Sequence, residues 1–137
     1  MVTDETNVYR KPKGLPFRAA ALTEPLACAV NALEQIEASP NDQLLIYGAG
    51  PVGLLMALAA QAIGAAPFIV ETDPVKLRLS DRFRMATEIP AALETERSDF
   101  DGVVSAAPSP DALRDGLRRL KSQGFNVTSL SVDNYGR

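Results

Sequence analysis

The chain of 137 residues contains no histidine and no tryptophan, a single cysteine, and 6% aromatic residues. Without histidine it has no Ser-His-Asp or Cys-His nucleophilic machinery, no imidazole base and no His-ligated metal site. The lone Cys28 excludes an internal disulfide, and a reducing compartment is the default for such a chain. Its small apolar neighbours in PLACAVNAL suit a buried structural thiol better than a nucleophile. The opening MVTDETNVYRKPKG is polar and of mixed charge, without the apolar core of a secretory signal. A cytoplasmic protein is therefore expected. A net charge of −3 offers no basic surface to a nucleic acid. The arginine-bearing stretches 78–84 and 114–121 alternate with Asp and apolar residues, the pattern of solvated helix faces.

What is present is an ordinary globular composition, 46% hydrophobic and 23% charged, with length for one domain and a sizeable core. Its most unusual feature is the absence of charge from Leu44 to Val70. That length raises the question of a membrane span, but Gly48, Gly50, Pro51 and Gly53 interrupt it early, and Gly64 and Pro67 late. The helical piece left, Pro51 to Ile63, would be about 20 Å long, against a bilayer core of about 30 Å. A strand–helix–strand unit buried on both faces gives the same uncharged signature.

Turn signals and periodicity divide the rest. Residues 1–21 form an N-terminal arm. A helix is expected over 22–39, capped by Thr23, with Leu26, Val30, Leu33 and Glu37 at its 3.6-residue period. After the turn SPND come strand one (43–47), helix A (51–63, ended by Gly64) and strand two (67–71). Helix B spans roughly 74–83, with Val75, Leu79 and Phe83 on one face. A short strand at 86–89 is followed, through a helical turn, by a fourth strand at 102–106. Ser109 caps the next helix with Pro110 at its first position. Leu113, Leu117 and Leu120 line its buried side, Gly124 ends it, and FNVTSL (125–130) is the fifth strand. Strands alternating with helices of about ten residues make a parallel α/β sheet.

The glycines that argue against a membrane carry the chemistry. Gly48-Ala-Gly-Pro-Val-Gly53 is a G-x-G-x-x-G that follows a strand and opens a helix, with Glu71 closing strand two 18 positions after the last glycine. Gly48 permits the tight turn, Gly50 lets a pyrophosphate approach the backbone, and Gly53 lets the helix pack closely. The free N–H groups and dipole at the helix start attract phosphate charge. Glu71 is placed to accept both hydroxyls of an adenosine ribose, and its charge disfavours a 2′-phosphate, so NAD(H) is expected over NADP(H). The bland alternative is a glycine-rich turn with an accidental acid at the strand end.

TEPLACAVNAL together with LLIYGAGPVGLLMALAAQAIGAAPFIVETDPVKLRLSDRF resembles the medium-chain, zinc-type alcohol and polyol dehydrogenases, most strongly over 22–85. The resemblance implies a Rossmann-type parallel sheet of about five strands, order 3-2-1-4-5, with helices on both faces. It implies an NAD-binding domain over 22–137. Gly48, Gly50, Pro51, Val52 and Gly53 match the pyrophosphate loop, Glu71 the ribose-binding acid, and Lys76 a basic residue reaching the same ribose. Ala106 and Ala107, within SAAPS, match the turn bordering the nicotinamide half. Glu24 matches a position near the catalytic zinc, although a first-turn carboxylate favoured by the helix dipole is the better explanation in this chain.

Departures from the family pattern are as informative. One Cys and no His build neither family zinc site, so zinc is expected only in a catalytic domain absent from this chain. The sheet is expected to stop before the sixth strand, Arg84 replaces a usual Gly, and FNVTSL is more polar than the usual fifth strand. The implied function is the dinucleotide-holding part of an NAD-dependent oxidoreductase, inactive alone and partnered by a missing catalytic domain or another copy of itself. Two other readings stay open: a non-catalytic NAD-binding or interaction module, and a flavin monooxygenase fragment, whose FAD fingerprint shares GAGPVGLL.

Overall fold

The computed structural model describes residues 4–83, 86–88, 97–122 and 127–129. In chain order these form a 3₁₀ turn (Glu5–Asn7), α1 (Phe17–Ala20), α2 (Thr23–Gln35), β1 (Gln43–Tyr47), α3 (Pro51–Ala62), β2 (Ala66–Val70), α4 (Pro74–Asp81), β3 (Ala86–Glu88), β4 (Gly102–Ser105), α5 (Pro110–Arg119) and β5 (Val127–Ser129). The described strands lie side by side as β3-β2-β1-β4-β5, all pairs parallel. Leu45 at the centre is opposite Phe68 on one side and Val103 on the other. The expected α/β class with a parallel sheet is what the chain adopts. Because β1 is paired on both edges and covered on both faces, Leu44 to Tyr47 are all buried, which explains the absence of charge there. Ile69 and Val70 of β2 and Leu54, Met56, Ala57 and Ala60 of α3 are buried in protein as well, and no helix among the described residues is long and apolar enough to cross a membrane.

Strand order reverses beside β1, whose successive neighbours β2 and β4 lie on opposite sides. At such a point the loops leaving the strand ends diverge and open a crevice. One side of the sheet is covered by α2 and α3, which meet through Ala29, Ala32, Leu33, Ala57 and Ala60. Small side chains let two helices approach closely, and of the expected apolar stripe Leu33 is buried among them. Leu26 and Val30 are partly exposed. Thr23 does not cap α2, because the chain enters it from the turn after α1 with Leu22 already helical. The helix ends at Gln35, and Glu37 turns left-handed at φ 52°, so it belongs to the C-terminal turn, where Ala38 N–H closes on Leu33 C=O.

Two more expected apolar faces are turned outward in part, although Leu113 is half-buried and Leu120 packs against the buried cluster around Phe100. In α4, Leu77 and Ser80 lean inward while Val75 and Leu79 are exposed, and Phe83 lies past the helix end. In α5, Leu117 is exposed, whereas Gly116 and Arg119 are buried. A Cβ at Gly116 would come within 2.5 Å of Val103 Cγ1, so the glycine sets how closely α5 lies on β4 and β1. Ser109 caps α5 as expected, its hydroxyl accepting the Ala112 N–H. The helix stops at Arg119, well before Gly124, because Leu120 is extended and bridges to Phe100. Of the segment 90–101, where a helical turn is expected, residues 97–101 form no helix; residues 90–96, Arg84, Gly124 and the residues beyond Ser129 lie outside the described residues.

Candidate functional site

The loop from Gly48 to Gly53 links β1 to α3 and is shaped by three glycines for three reasons. Gly48 has φ +98°, a left-handed conformation open chiefly to glycine. At Gly53 a Cβ would stand 1.9 Å from the Gly48 carbonyl oxygen, so the first turn of α3 rests directly on the loop backbone. At Gly50 a Cβ would meet nothing within 4 Å. The space beside Gly50 belongs to no protein group, although its backbone is ordinary and extended. Pro51 has no N–H and Gly50 gives no side-chain cap, so the N–H groups of Val52 and Gly53 start the helix without one. A ready anion acceptor results.

Glu71 sits just past β2 and is buried, with 7% of its surface exposed. Its Oε2 accepts the Ala49 N–H at 2.8 Å, and its Oε1 accepts the Thr72 and Asp73 N–H groups at 2.7 and 2.9 Å. Burial pushes this carboxyl up, but the N–H groups of Asp73, Ala49 and Thr72, helped by Lys76, outweigh it and hold it below the usual carboxylate range. Glu71 is therefore fully charged at neutral pH. Lys76 Nζ stands 3.8 Å from Oε2 on a half-exposed side chain, an interaction worth little on its own.

A cleft of about 570 Å³ opens at the strand ends, lined by Gly48, Glu71, Thr72, Ala107, Ser109 and Tyr47 among others. It brings Gly48, Glu71 and Ala107 together, so Ala107 shares its space with the acid expected to bind ribose. Ala106 does not line it. Its N–H bonds Tyr47 C=O, and its carbonyl would meet a Cβ at Gly48 at 3.1 Å, which tightens the loop from below.

A polar group that the sequence reading passed over also borders this cleft. The Tyr47 hydroxyl donates to Asp115 Oδ2 at 2.6 Å, and Arg119 Nε donates to the same oxygen at 2.8 Å. Arg119 Nη1 reaches the Arg97 carbonyl, and the Arg97 guanidinium stacks over Phe68 and Phe100. Burial, then the bond to Asp115, lift the Tyr47 phenol well above its usual range, so it remains a donor. The available signals were the i, i+4 spacing of Asp115 and Arg119 and the one hydroxyl closing an aliphatic strand. Arg119 departs from the expected solvated face of 114–121 because it is buried against this carboxylate.

Glu24 lies exposed in the first turn of α2, with the half-buried Cys28 thiol 3.8 Å away. Cys28 is thus less enclosed than its neighbours suggested. Among the described residues no cluster of three or more His, Cys, Asp or Glu has the geometry to hold a metal.

No family model matches the chain. Probable D-xylulose reductase A of Neosartorya fischeri is 36% identical over 114 residues, covering 82% of this chain and 29% of its own length. D-altritol 5-dehydrogenase of Agrobacterium fabrum is 32% identical, covering 72% of this chain and 32% of its own. The chain thus spans about a third of the length of these curated relatives. The structure of 2R,3R-butanediol dehydrogenase from Bacillus subtilis superposes with a TM-score of 0.79 at 23% identity, covering 89% of this chain and 38% of that one. An alcohol dehydrogenase from Escherichia coli complexed with NADH reaches 0.83 at 17% identity, over 95% and 42% of the two chains. A protein from Sinorhizobium meliloti described as a zinc-binding dehydrogenase, bound to NADP, reaches 0.72 at 25%, over 80% and 35%.

Proposed function

We infer the function from one premise: the chain belongs to the medium-chain, zinc-type alcohol and polyol dehydrogenases. On that premise it is a dinucleotide-binding portion of an oxidoreductase, and its cofactor is a nicotinamide dinucleotide. The relatives being dehydrogenases, neither the non-catalytic module nor the flavin reading is favoured.

The observation that carries this reading is the open space at Gly50, at an uncapped helix start and beside a buried, charged carboxylate. Gly48, Gly50, Pro51, Val52 and Gly53 hold the pyrophosphate, Glu71 and Lys76 address the adenosine ribose, and Ala107 borders the dinucleotide while Ala106 supports the loop beneath it. Residues 22–137 form the binding unit, and 1–21 link it to the rest of the enzyme. Between the two nicotinamide cofactors the reading is NAD(H), because a 2′-phosphate would meet the buried Glu71 carboxylate, beside which Lys76 is half-exposed and already paired with that carboxylate.

The whole enzyme transfers a hydride between NAD(H) and a polyol-type alcohol. With one cysteine and no histidine this chain does not fit the family's zinc sites, so no step through a metal is assigned to it. Its partner is a catalytic domain or a second copy of the chain.

Titration of the chain with NADH and NADPH, followed by nucleotide fluorescence, tests the assignment. NADH is expected to bind at least about tenfold tighter, and Glu71→Ala to erase most of the difference. Superimposable curves for the two cofactors on the unaltered chain would remove Glu71 from its role.

A further inference from the structure

We propose that two copies of this chain pair through the outer face of α2, antiparallel about a two-fold axis at Leu26. The pairing does not depend on the cofactor reading, because none of its residues borders the cleft at the strand ends.

Charge is segregated along the first half of the chain. From Thr6 to Thr23 there are four cations, Arg10, Lys11, Lys13 and Arg18, and no Asp or Glu. From Ala19 to Val75 there are six acids and no Lys or Arg. The border between the two regimes falls at the start of α2. Positive charge therefore precedes this helix, while Glu34 and Glu37 stand at its far end with no basic residue in the last turn. The dipole of a lone helix favours the reverse, cations at the C-terminus and acids at the N-terminus. Helix stability does not account for this arrangement.

Arg18, Leu22, Leu26, Val30 and Glu34 follow one another in steps of four residues. Ala21 and Leu22, between α1 and α2, keep right-handed helical dihedrals. Leu22 N–H bonds Ala19 C=O and Leu26 N–H bonds Leu22 C=O, so the row is continuous. Rows of this spacing are the ridges through which helices most often interlock. Leu22, Leu26 and Val30 are 48%, 38% and 42% exposed. Arg18 and Glu34 are exposed too, and neither makes an ion pair among the described residues.

Read from its two ends, the row has the same pattern with the sign of the charge reversed. A half-turn about Leu26 lays Leu26 on Leu26, Leu22 on Val30, and Arg18 on Glu34 twice over. An isologous contact needs a patch complementary to itself, and this row is one. In a parallel pairing the same rows would set Arg18 against Arg18 and Glu34 against Glu34. Three apolar side chains a side are a small patch beside the roughly 800 Å² per partner of a standard stable interface. The dimer is therefore expected to be weak, with a Kd of about 10–100 μM, and weaker still at high salt.

Sedimentation of the full chain over about 1 μM to 1 mM tests the pairing. A shift from monomer to dimer is expected across that range. Leu26→Glu sets two like charges on the axis and is expected to hold the chain monomeric, with its circular dichroism unchanged. Arg18→Glu and Glu34→Arg alter exposed side chains only, and each is expected to weaken pairing at least about tenfold. An equimolar mixture of these two variants is expected to pair as the parent does, because each supplies the charge that the other's row lacks. A chain monomeric throughout the range overturns the proposal and leaves the stripe to another domain. A dimer that survives Leu26→Glu lies on another surface and overturns it as well. Single charge variants that pair like the parent, or a mixture as weak as its components, show that Arg18 and Glu34 do not meet, and overturn the antiparallel register.

Discussion

Leu44, Ile46, Ile69 and Val104 turn to one face of the sheet and meet α2 and α3, whereas Leu45, Tyr47, Val70 and Val103 turn to the other and meet α5. The first face is closed by alanines and aliphatic groups. The second is closed by Phe100 together with Tyr47, Arg119 and Asp115. Both are buried, but only the second borders the cleft at the strand ends. A helix that only supports the sheet is optimised for closeness. One that walls a binding crevice carries polar groups whose partners must be supplied inside the fold. The two faces should therefore fail in different ways, one through added volume and the other through lost charge.

The largest effect is expected where the first face meets the loop. Gly53→Ala places a Cβ 1.9 Å from a backbone oxygen, and no rotamer change relieves a collision between backbone atoms. Ordinary overpacking costs about 1–3 kcal/mol. Here the start of α3 must lift from the loop, so a loss above about 3 kcal/mol is expected, read as a lower midpoint in urea unfolding. An unchanged midpoint would show that α3 and the loop are not in this contact. On the second face, Arg119→Met keeps the apolar stem but strands the Asp115 carboxylate. Breaking a fully buried pair costs about 3–5 kcal/mol. Asp115 is 41% exposed and can recruit water, so about 2 kcal/mol is expected. The double change Arg119→Met with Asp115→Leu should recover much of that loss, since removing both partners is far milder than removing one. A double variant no better than the single one would make the face a volume problem, as on the other side.

The same contrast explains what could be read from the sequence. β1, α3 and the glycine loop were legible because local chemistry decides them: an uncharged aliphatic run, a proline at the first helical position, and glycines with a turn, a contact and an open space to provide. Which side of each surrounding helix faces in was not legible. Leucines and valines at helical spacing pointed to Val30, Val75, Leu79 and Leu117, yet Ala29, Ala32, Ser80 and Gly116 face inward. Helix-to-helix and helix-to-sheet distance selects small residues, and that distance is set by tertiary packing, which a single helix does not encode. The position of Glu71 was legible from its spacing to the glycines. Its hydrogen bonds to Ala49, Thr72 and Asp73 depend on the backbone path and were not. The burial of Arg119 was hidden for a related reason: its partner Asp115 lies one turn away on the same helix, but the Tyr47 hydroxyl that shares that carboxylate and the Arg97 carbonyl lie on other segments.

The smallest expected effect isolates one bond of the polar face. Tyr47→Phe keeps the ring against Gly116 and removes only the hydroxyl donated to Asp115. Burial pushes the Asp115 carboxyl up, but the bonds from Arg119 and Tyr47 outweigh it and hold it below the usual range. A folded-state pKa depressed in this way contributes stability above the unfolded value of about 3.9, and loses it as pH falls through the folded value. Removing the hydroxyl moves the folded value back toward the unfolded one. The deficit of the Phe variant should therefore be about 1 kcal/mol near neutral pH and shrink as acid protonates Asp115. Unfolding free energies measured from about pH 7 down to about pH 2 check this. A deficit constant across that range would mean that the hydroxyl contributes a neutral contact, and that the charge on this face is held by Arg119 alone.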